Sequence, residues 1–309
     1  MPSTFPEVWL SRVVMLITSL VSAPWLDGIP ELDTEVLEVG SGSASEQNLI
    51  HIPIENFEVD CLINNTAYPI ALQAYTDTEA VVALDKYQTK VTTLSDDQID
   101  GAAYSKIDSA TRGHVRSMRT NKFKRAIHSL APNLNTASTP VLVTTGAEVT
   151  PGGRKRFVYA DLVRLKDSLD QADCPEEGRR LVLSTDHMND LLLDRDRFAD
   201  KLVNHTSGKA APIICGFEIY SYLGNPYYFE DTDNDDVLTK LAFGEIPDPA
   251  TDFRASIVFL ADNVGKKTGK TKQYFASAEK DPETQTNKLN YRHYFIAVPV
   301  QMKYMAAII

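Results

Sequence analysis

The sequence predicts an α+β protein with one very long helix, hairpin material ahead of it and a mixed α/β lobe behind it. Three observations carry this. Residues 95–131 read as a single helix with acids first and bases last. Residues 56–93 are rich in Val, Ile, Thr and Tyr and broken by turn signals. Beyond residue 140, short β runs and two amphipathic helical stretches alternate without a fixed period.

The bulk numbers fit such a body. A chain of 309 residues suffices for one large core or two to three smaller lobes. Apolar residues are 43% and charged residues 24%, which argues against wholesale disorder. The net charge of −11 disfavours tight or sequence-specific binding of a phosphate backbone. The cysteines, Cys61, Cys174 and Cys215, are odd in number and far apart. They form no CxxC pair, so neither a zinc ribbon nor a disulfide framework is expected, and a reducing compartment is.

The N-terminus imitates a secretory leader. VVMLITSLVS at 13–22 follows Arg12 and precedes Ala23. Yet Glu7, Trp9 and Leu10 stand before the basic residue, and the apolar run is too short to span a bilayer. Val8, Val13, Leu16, Leu20 and Val21 fall near helical spacing, so a packed or partner-seeking helix is expected. After Pro24 comes a loop through GSGSASE at 40–46, then the β run LIHIPI at 49–54. Residues 56–93, with turns at Asn64-Asn65 and Thr76-Asp77, are expected to project outward as a long hairpin.

The long helix opens on a capping-box pattern, Ser95 with Gln98, with Asp96 and Asp97 in its first turn. Ile99, Ala103, Ile107, Ala110, His114, Met118 and Ile127 track one face. Arg112, Arg116, Arg119, Lys122, Lys124 and Arg125 crowd the second half; Ile107 and Met118 are expected to be buried and Lys122 exposed. Gly113 is a candidate break, and Pro132 ends the helix. About 35 residues at roughly 1.5 Å each give a helix on the order of 50 Å long. A strand follows at 140–145, then a loop near Pro151 and a helix at about 160–172 with Leu162, Leu165 and Leu169 on one side. Residues 173–192 read as loop, strand and helix, with Ser184 as N-cap. Strands are expected at 213–222 and 256–261, and a last strand pair in HYFIAVPV and MKYMAAII.

No motif reaches the standard of a catalytic or metal site. GKKTGKT at 265–271 resembles a phosphate-binding loop, but only three residues separate Gly265 from Gly269, and Val264 stands where the first glycine belongs. A solvated basic loop is expected there. DTDNDD at 231–236 alternates Asp231, Asp233 and Asp235 like a calcium loop, but Asp236 replaces the central glycine and Ala242 the bidentate acid. His51, His114, His128, His187, His205 and His293 show no HxxxH or HExxH spacing. Ser184, Asp186 and His187 suggest a triad only by adjacency, and no GxSxG elbow exists. Asn64 and Asn204 head glycosylation sequons with no other sign of secretion. No catalytic, cofactor-binding or metal residue is assigned, and no cofactor is expected.

The order of elements resembles the major capsid proteins of tailed bacteriophages, of the Hong Kong ninety-seven type fold. FPEVW at 5–9 resembles the opening of that family's N-arm helix, and LIHIPI its strand into the extended loop. ALDKYQTKVTTLSDDQID at 83–100 resembles the strand returning from that loop into the spine helix. DLVRLKDSLDQADCPEEGRRLVLSTDHMNDLL at 161–192 and GFEIYSY at 216–222 resemble the helix–strand–helix and the next strand. The segments at 231–236 and 266–273 resemble nothing in the family.

The resemblance implies five parts. These are an N-terminal arm (1–46), an extended β-hairpin loop (47–94), a peripheral domain with the spine helix (95–157), an axial domain (158–283) and C-terminal strands returning to the peripheral domain (284–309). It also implies assembly with itself into hexamers and pentamers of an icosahedral head enclosing double-stranded DNA. The acidic balance suits a wall that holds DNA without adhering to it. Portal and scaffolding or decoration proteins are expected partners, with no membrane. Such a subunit assembles in the host bacterial cytoplasm and resides in the virion capsid. Three rivals remain. A host nanocompartment (encapsulin-like) shell shares the fold; a nucleotide-binding enzyme would use Gly269, Lys270 and Thr271; a secreted binding protein would require cleavage near Ala23.

Overall fold

The computed structural model describes residues 5–19, 22–33, 37–39, 47–55, 66, 68–69, 77–95, 106–149, 153–194, 203–204, 209–210, 212–231, 237–280 and 283–309. Four α-helices occur among them: α1 (Phe5–Thr18), α2 (Lys106–Ser129), α3 (Tyr159–Gln171) and α4 (Thr185–Leu193). The strands ahead of α2 are β1 (Leu37–Val39), β2 (Gln47–Glu55), β3 (Asp77–Ala83), β4 (Asp85–Gln88) and β5 (Thr92–Ser95). Between α2 and residue 221 lie β6 (Val141–Leu142), β7 (Glu148–Val149), β8 (Arg154–Lys155), β9 (Arg179–Leu183), β10 (Val203–Asn204), β11 (Lys209–Ala210), β12 (Ile213–Ile214) and β13 (Phe217–Ser221). The remainder holds β14 (Tyr227–Asp231), β15 (Val237–Lys240), β16 (Phe253–Arg254), β17 (Ser256–Leu260), β18 (Val264–Ala276), β19 (Thr286–Pro299) and β20 (Met305–Ile308).

The central sheet has six strands in the order β12-β13-β9-β17-β20-β6. Strands β13 and β9 run parallel, as do β20 and β6, while β17 is antiparallel to both of its neighbours. Side chains alternate across this sheet with the period of two that a pleated strand imposes. Leu181, Leu183, Val258, Leu260, Ala306 and Ile308 face α3 and α4, where they meet Leu162, Leu165, Leu169, Met188 and Leu191. Val182, Ile257, Phe259, Met305 and Ala307 face the other way, onto Trp25, Phe123, Ile127 and Leu130. Every residue of β17 is buried, which explains the apolar run Ile257–Leu260 that follows Ser256.

A second sheet is dominated by the long antiparallel pair β18 and β19, with β4 and β5 on the far side of β19. Helix α2 bridges the two sheets. Its first half sets Val115 and Met118 on Leu289 and Tyr291 of β19. Its second half sets Phe123, Ala126 and Ile127 on the central sheet. The two sheets therefore share one rigid strut.

Several expectations are corrected. The described helix has 24 residues, about 36 Å at 1.5 Å per residue, and begins at Lys106. Ser95 closes β5, and residues 96–105, with the rest of the capping-box pattern, lie outside the described residues. Gly113 does not break α2: the helix runs through it, and an added Cβ there would meet nothing within 4 Å. Ile107 is half-buried; Met118, at 3% exposure, carries the burial expected of that face. Lys122 is not exposed but 2% accessible. The run at 213–222 is a hairpin of β12 and β13, turned at Cys215 and Gly216, both at positive φ. The last two strands do not pair with each other: β19 pairs with β18, whereas β20 joins β17.

Candidate functional site

Two elements ahead of the strut pack beside it: helix α1 on α2 and the β2–β3 hairpin on β19. Helix α1 docks through Val13 and Ile17, fully buried against Val115, Met118 and Tyr291. Met15, on the opposite side of α1, is 64% exposed. Arg12 donates to Asp108 of α2 at 2.7 Å. The C-terminal carbonyl of Ile17 accepts a hydrogen bond from Lys122 Nζ at 3.0 Å. That ammonium also lies over the rings of Phe123 and Phe295, at 4.9 and 4.4 Å. A helix C-terminus has unpaired carbonyls and partial negative charge, so a cation there is well placed. Burial lowers the Lys122 pKa to about 8, with Glu31 opposing and Lys266 adding to the shift. Sequence patterning missed this lysine because its partner is a backbone atom 105 residues away.

The turn after α1 is fastened to the central sheet. Arg180 donates to the carbonyls of Trp25 at 3.0 Å and Asp27 at 2.6 Å. The Trp25 ring meets Tyr222 and Phe259 edge-on, at 5.7 and 6.2 Å. At the other end of the strut, Lys240 Nζ donates to the carbonyls of His128 and Ala131, both at 2.7 Å, and so caps α2. Burial lowers the Lys240 pKa to about 8.

The hairpin consists of β2 and β3, paired from Leu49 opposite Ala83 to Glu55 opposite Asp77, with β1 along the outer edge of β2. Its base is anchored by Ile50 and Leu84, packed on Tyr294 and Ile296 of β19. Val81 is already 55% exposed. A two- or three-stranded ribbon of this kind buries little of its own surface and gains stability from a neighbour.

The segment 265–271 is not a solvated loop. It lies within β18, paired with β19 from Val264 to Ala276 with a register shift between Thr268 and Thr271. Apart from Gly269 and Lys270 at the register shift, its residues pair in the ladder, and no α-helix follows directly on the strand, so the phosphate-loop geometry is absent here. The glycines serve packing instead. A Cβ on Gly269 would stand 2.7 Å from Tyr294 Cβ, and one on Gly265 3.0 Å from Leu32. Lys266 and Lys267 donate to the carbonyls of Leu26 at 3.1 Å and Leu32 at 2.7 Å, tying the N-terminal strand-like segment to this sheet.

The other motifs resolve similarly. Ser184 caps α4, its hydroxyl accepting from the His187 amide at 3.3 Å. The His187 ring is inaccessible, stacks on Phe157, and shares a 2.7 Å hydrogen bond at Nδ1 with Ser256 Oγ. This is a buried structural network, not a nucleophile with its base. Burial pulls the His187 pKa down to about 4 and that of His293 to about 3. His293 Nδ1 meets Thr271 Oγ1 at 2.9 Å, while His114 packs against Tyr291 and His128 Nε2 meets the Leu241 carbonyl at 2.9 Å. Burial raises the Cys174 thiol pKa, so this cysteine is poorly suited as a nucleophile. Most of the DTDNDD segment, together with Cys61, Asn64 and His205, lies outside the described residues. Of Asn204 and His51 only the strand backbone is described. Among the described residues no group of three His, Cys, Asp or Glu side chains is placed to hold a metal ion. No helix among them is long and apolar enough to cross a membrane.

Solved structures share this arrangement of two sheets joined by one long helix. The chain aligns with the capsid of cyanophage P-SCSP1u over 91% of its length and 90% of that chain, at a TM-score of 0.56 and 13% identity. It aligns with a structure from Mycobacterium phage Che8 over 91% and 93%, at 0.52 and 15%. A virus-like particle from Pyrococcus furiosus aligns over 98% of both chains, at 0.55 and 9%. At these identities the likeness is one of fold. No match is found among curated proteins.

The family follows from the sequence itself: the model described as phage capsid protein matches residues 77–309. The chain belongs to the phage capsid protein family, and it is a structural component of the virion shell that associates with copies of itself.

Proposed function

We propose that this major capsid protein forms hexamers and pentamers that close an icosahedral head around double-stranded DNA. The observation that carries the reading is the family match over 77–309, joined to an arm and a hairpin whose exposed apolar groups need neighbours. The net charge of −11 supports a wall that confines DNA without adhering to it. Assembly takes place in the host cytoplasm, with portal and scaffolding or decoration proteins as further partners, and the subunit works without catalysis.

The proposed division keeps the arm at 1–46, the extended loop at 47–94, the peripheral domain at 95–157, the axial domain at 158–283 and the returning strands at 284–309. Two refinements follow from pairing. Strands β4, β5 and β18 lie in one sheet with β19, and β20 lies in the central sheet beside β17. Purified particles, nuclease-treated and then opened, test the cargo. Protected double-stranded DNA is expected; a single enclosed protein species would instead make the chain a nanocompartment shell.

A further inference from the structure

Two surface features on this chain complement each other. The first is a groove of about 540 Å³ between α2 and α4. Its lining carries the cations Arg116, Arg119 and Lys124 and the apolar side chains of Met188, Leu192 and Leu223. Those three cations make no hydrogen bond or ion pair among the described residues, in a chain whose net charge is −11. Leu223 is 75% exposed.

The second is the loop between β15 and β16. Its tip, Ile246, is 90% exposed, and Glu245, Asp248 and Asp252 surround it in sequence. The loop is held by its own hydrogen bonds. The Glu245 amide donates to the Ala242 carbonyl at 3.2 Å, the Asp252 amide to the Asp248 carbonyl at 2.9 Å, and the Asp248 amide to an Asp252 carboxylate oxygen at 2.8 Å. Its root is pinned to α2, where Phe243 lies under the Arg125 guanidinium at 5.2 Å and against His128 at 5.5 Å. A branched apolar side chain on a pre-ordered loop loses little conformational freedom on docking, which is how an interface anchor is built.

Building on the proposed shell, we infer that the 242–252 loop of one subunit inserts Ile246 into the α2–α4 groove of a second copy, with its acids against Arg116 and Arg119. The charges are opposite in sign, the apolar tip meets apolar lining residues, and every copy carries both halves. A contact between two different patches is heterologous and closes into a ring when the rotation between copies permits, as a capsomer requires.

Charge reversal tests this on the full chain. Arg116→Glu with Arg119→Glu, Glu245→Lys with Asp248→Lys, and Ile246→Asp are each expected to lower shell yield at least about tenfold. Their thermal unfolding as subunits should stay close to that of the unaltered protein, since these side chains are exposed or at the groove rim. The quadruple charge reversal should restore assembly to within about twofold. Normal shell yield from the reversed pairs would overturn the contact. So would a quadruple variant that folds but stays unassembled, which would leave the cationic wall to another polyanion such as nucleic acid. If the unaltered protein itself forms no shells in the same assay, the proposed function falls first.

Discussion

Lys122 gives the most discriminating test of how the arm is held. The side chain is 2% accessible and donates to Ile17 at 3.0 Å. Truncation to Ala removes a buried stem about the size of Met, which costs about 2–5 kcal/mol. It also leaves the Ile17 carbonyl unpaired, for roughly 1–3 kcal/mol. Against this, the pKa gap between 10.5 and about 8 means that holding the charge costs roughly 3 kcal/mol, which the variant regains. The net expectation for Lys122→Ala is a loss of about 2 kcal/mol. Lys122→Met keeps the volume and drops the charge, so at pH 7 it should lie within about 1 kcal/mol of the original or above it. The pH dependence separates the two effects. A lysine whose folded pKa is lowered binds fewer protons in the folded state, so stability rises as pH climbs from about 8 to 10.5 and the penalty is complete below 8. Lys122→Met should lack that rise, while Lys240 contributes equally to both proteins. Denaturant unfolding of subunits at pH 7, 8.5 and 9.5 measures it. An Ala variant within about 0.5 kcal/mol of the original, or a Met difference independent of pH, would refute the buried-cation account.

Acid should weaken the subunit through its histidines. His187 and His293 have folded pKa values lowered to about 4 and about 3, so stability is lost as pH falls below 6.5; His187→Gln should flatten that slope in unfolding curves between pH 6.5 and 4.5. Asp190, 5% exposed, accepts from Arg154 at 2.6 and 3.1 Å and from the Phe157 amide at 2.9 Å; Arg154→Ala should cost about 3–5 kcal/mol, read as a lowered denaturation midpoint. Gly269→Val drives a side chain into Tyr294 and should cost upward of about 1–3 kcal/mol, whereas exposed Lys270→Ala should change stability by no more than about 0.5 kcal/mol and leave particle yield intact; saturable ATP binding lost in Lys270→Ala would contradict this. Met118→Asp buries an unpaired charge and should give insoluble or unassembled subunits, while half-buried Ile107→Asp should be milder.

Much of the fold was legible where the pattern is local. The Leu162, Leu165 and Leu169 stripe became the buried face of α3, and Ser184 became the cap of α4, because both signals are set within a turn or two of helix. The apolar run in β17 read as a strand, and the fold buries every residue of it. What failed depended on distant partners. Lys122 looks like one more surface base until α1 arrives across it, and GKKTGKT looks like a loop until β19 pairs with it. Its glycines mimic a phosphate motif, yet their small size answers to Tyr294 and Leu32. The groove between α2 and α4 was illegible because Arg116, Arg119 and Lys124 meet Met188, Leu192 and Leu223 only in the folded chain.

Electron microscopy of the purified protein, supported by sedimentation, decides whether this chain builds a shell. Capsomers and closed shells of uniform size, sedimenting far ahead of a single subunit, are expected. A stable monomer at high concentration, with no particles in the lysate from which it came, would contradict this expectation.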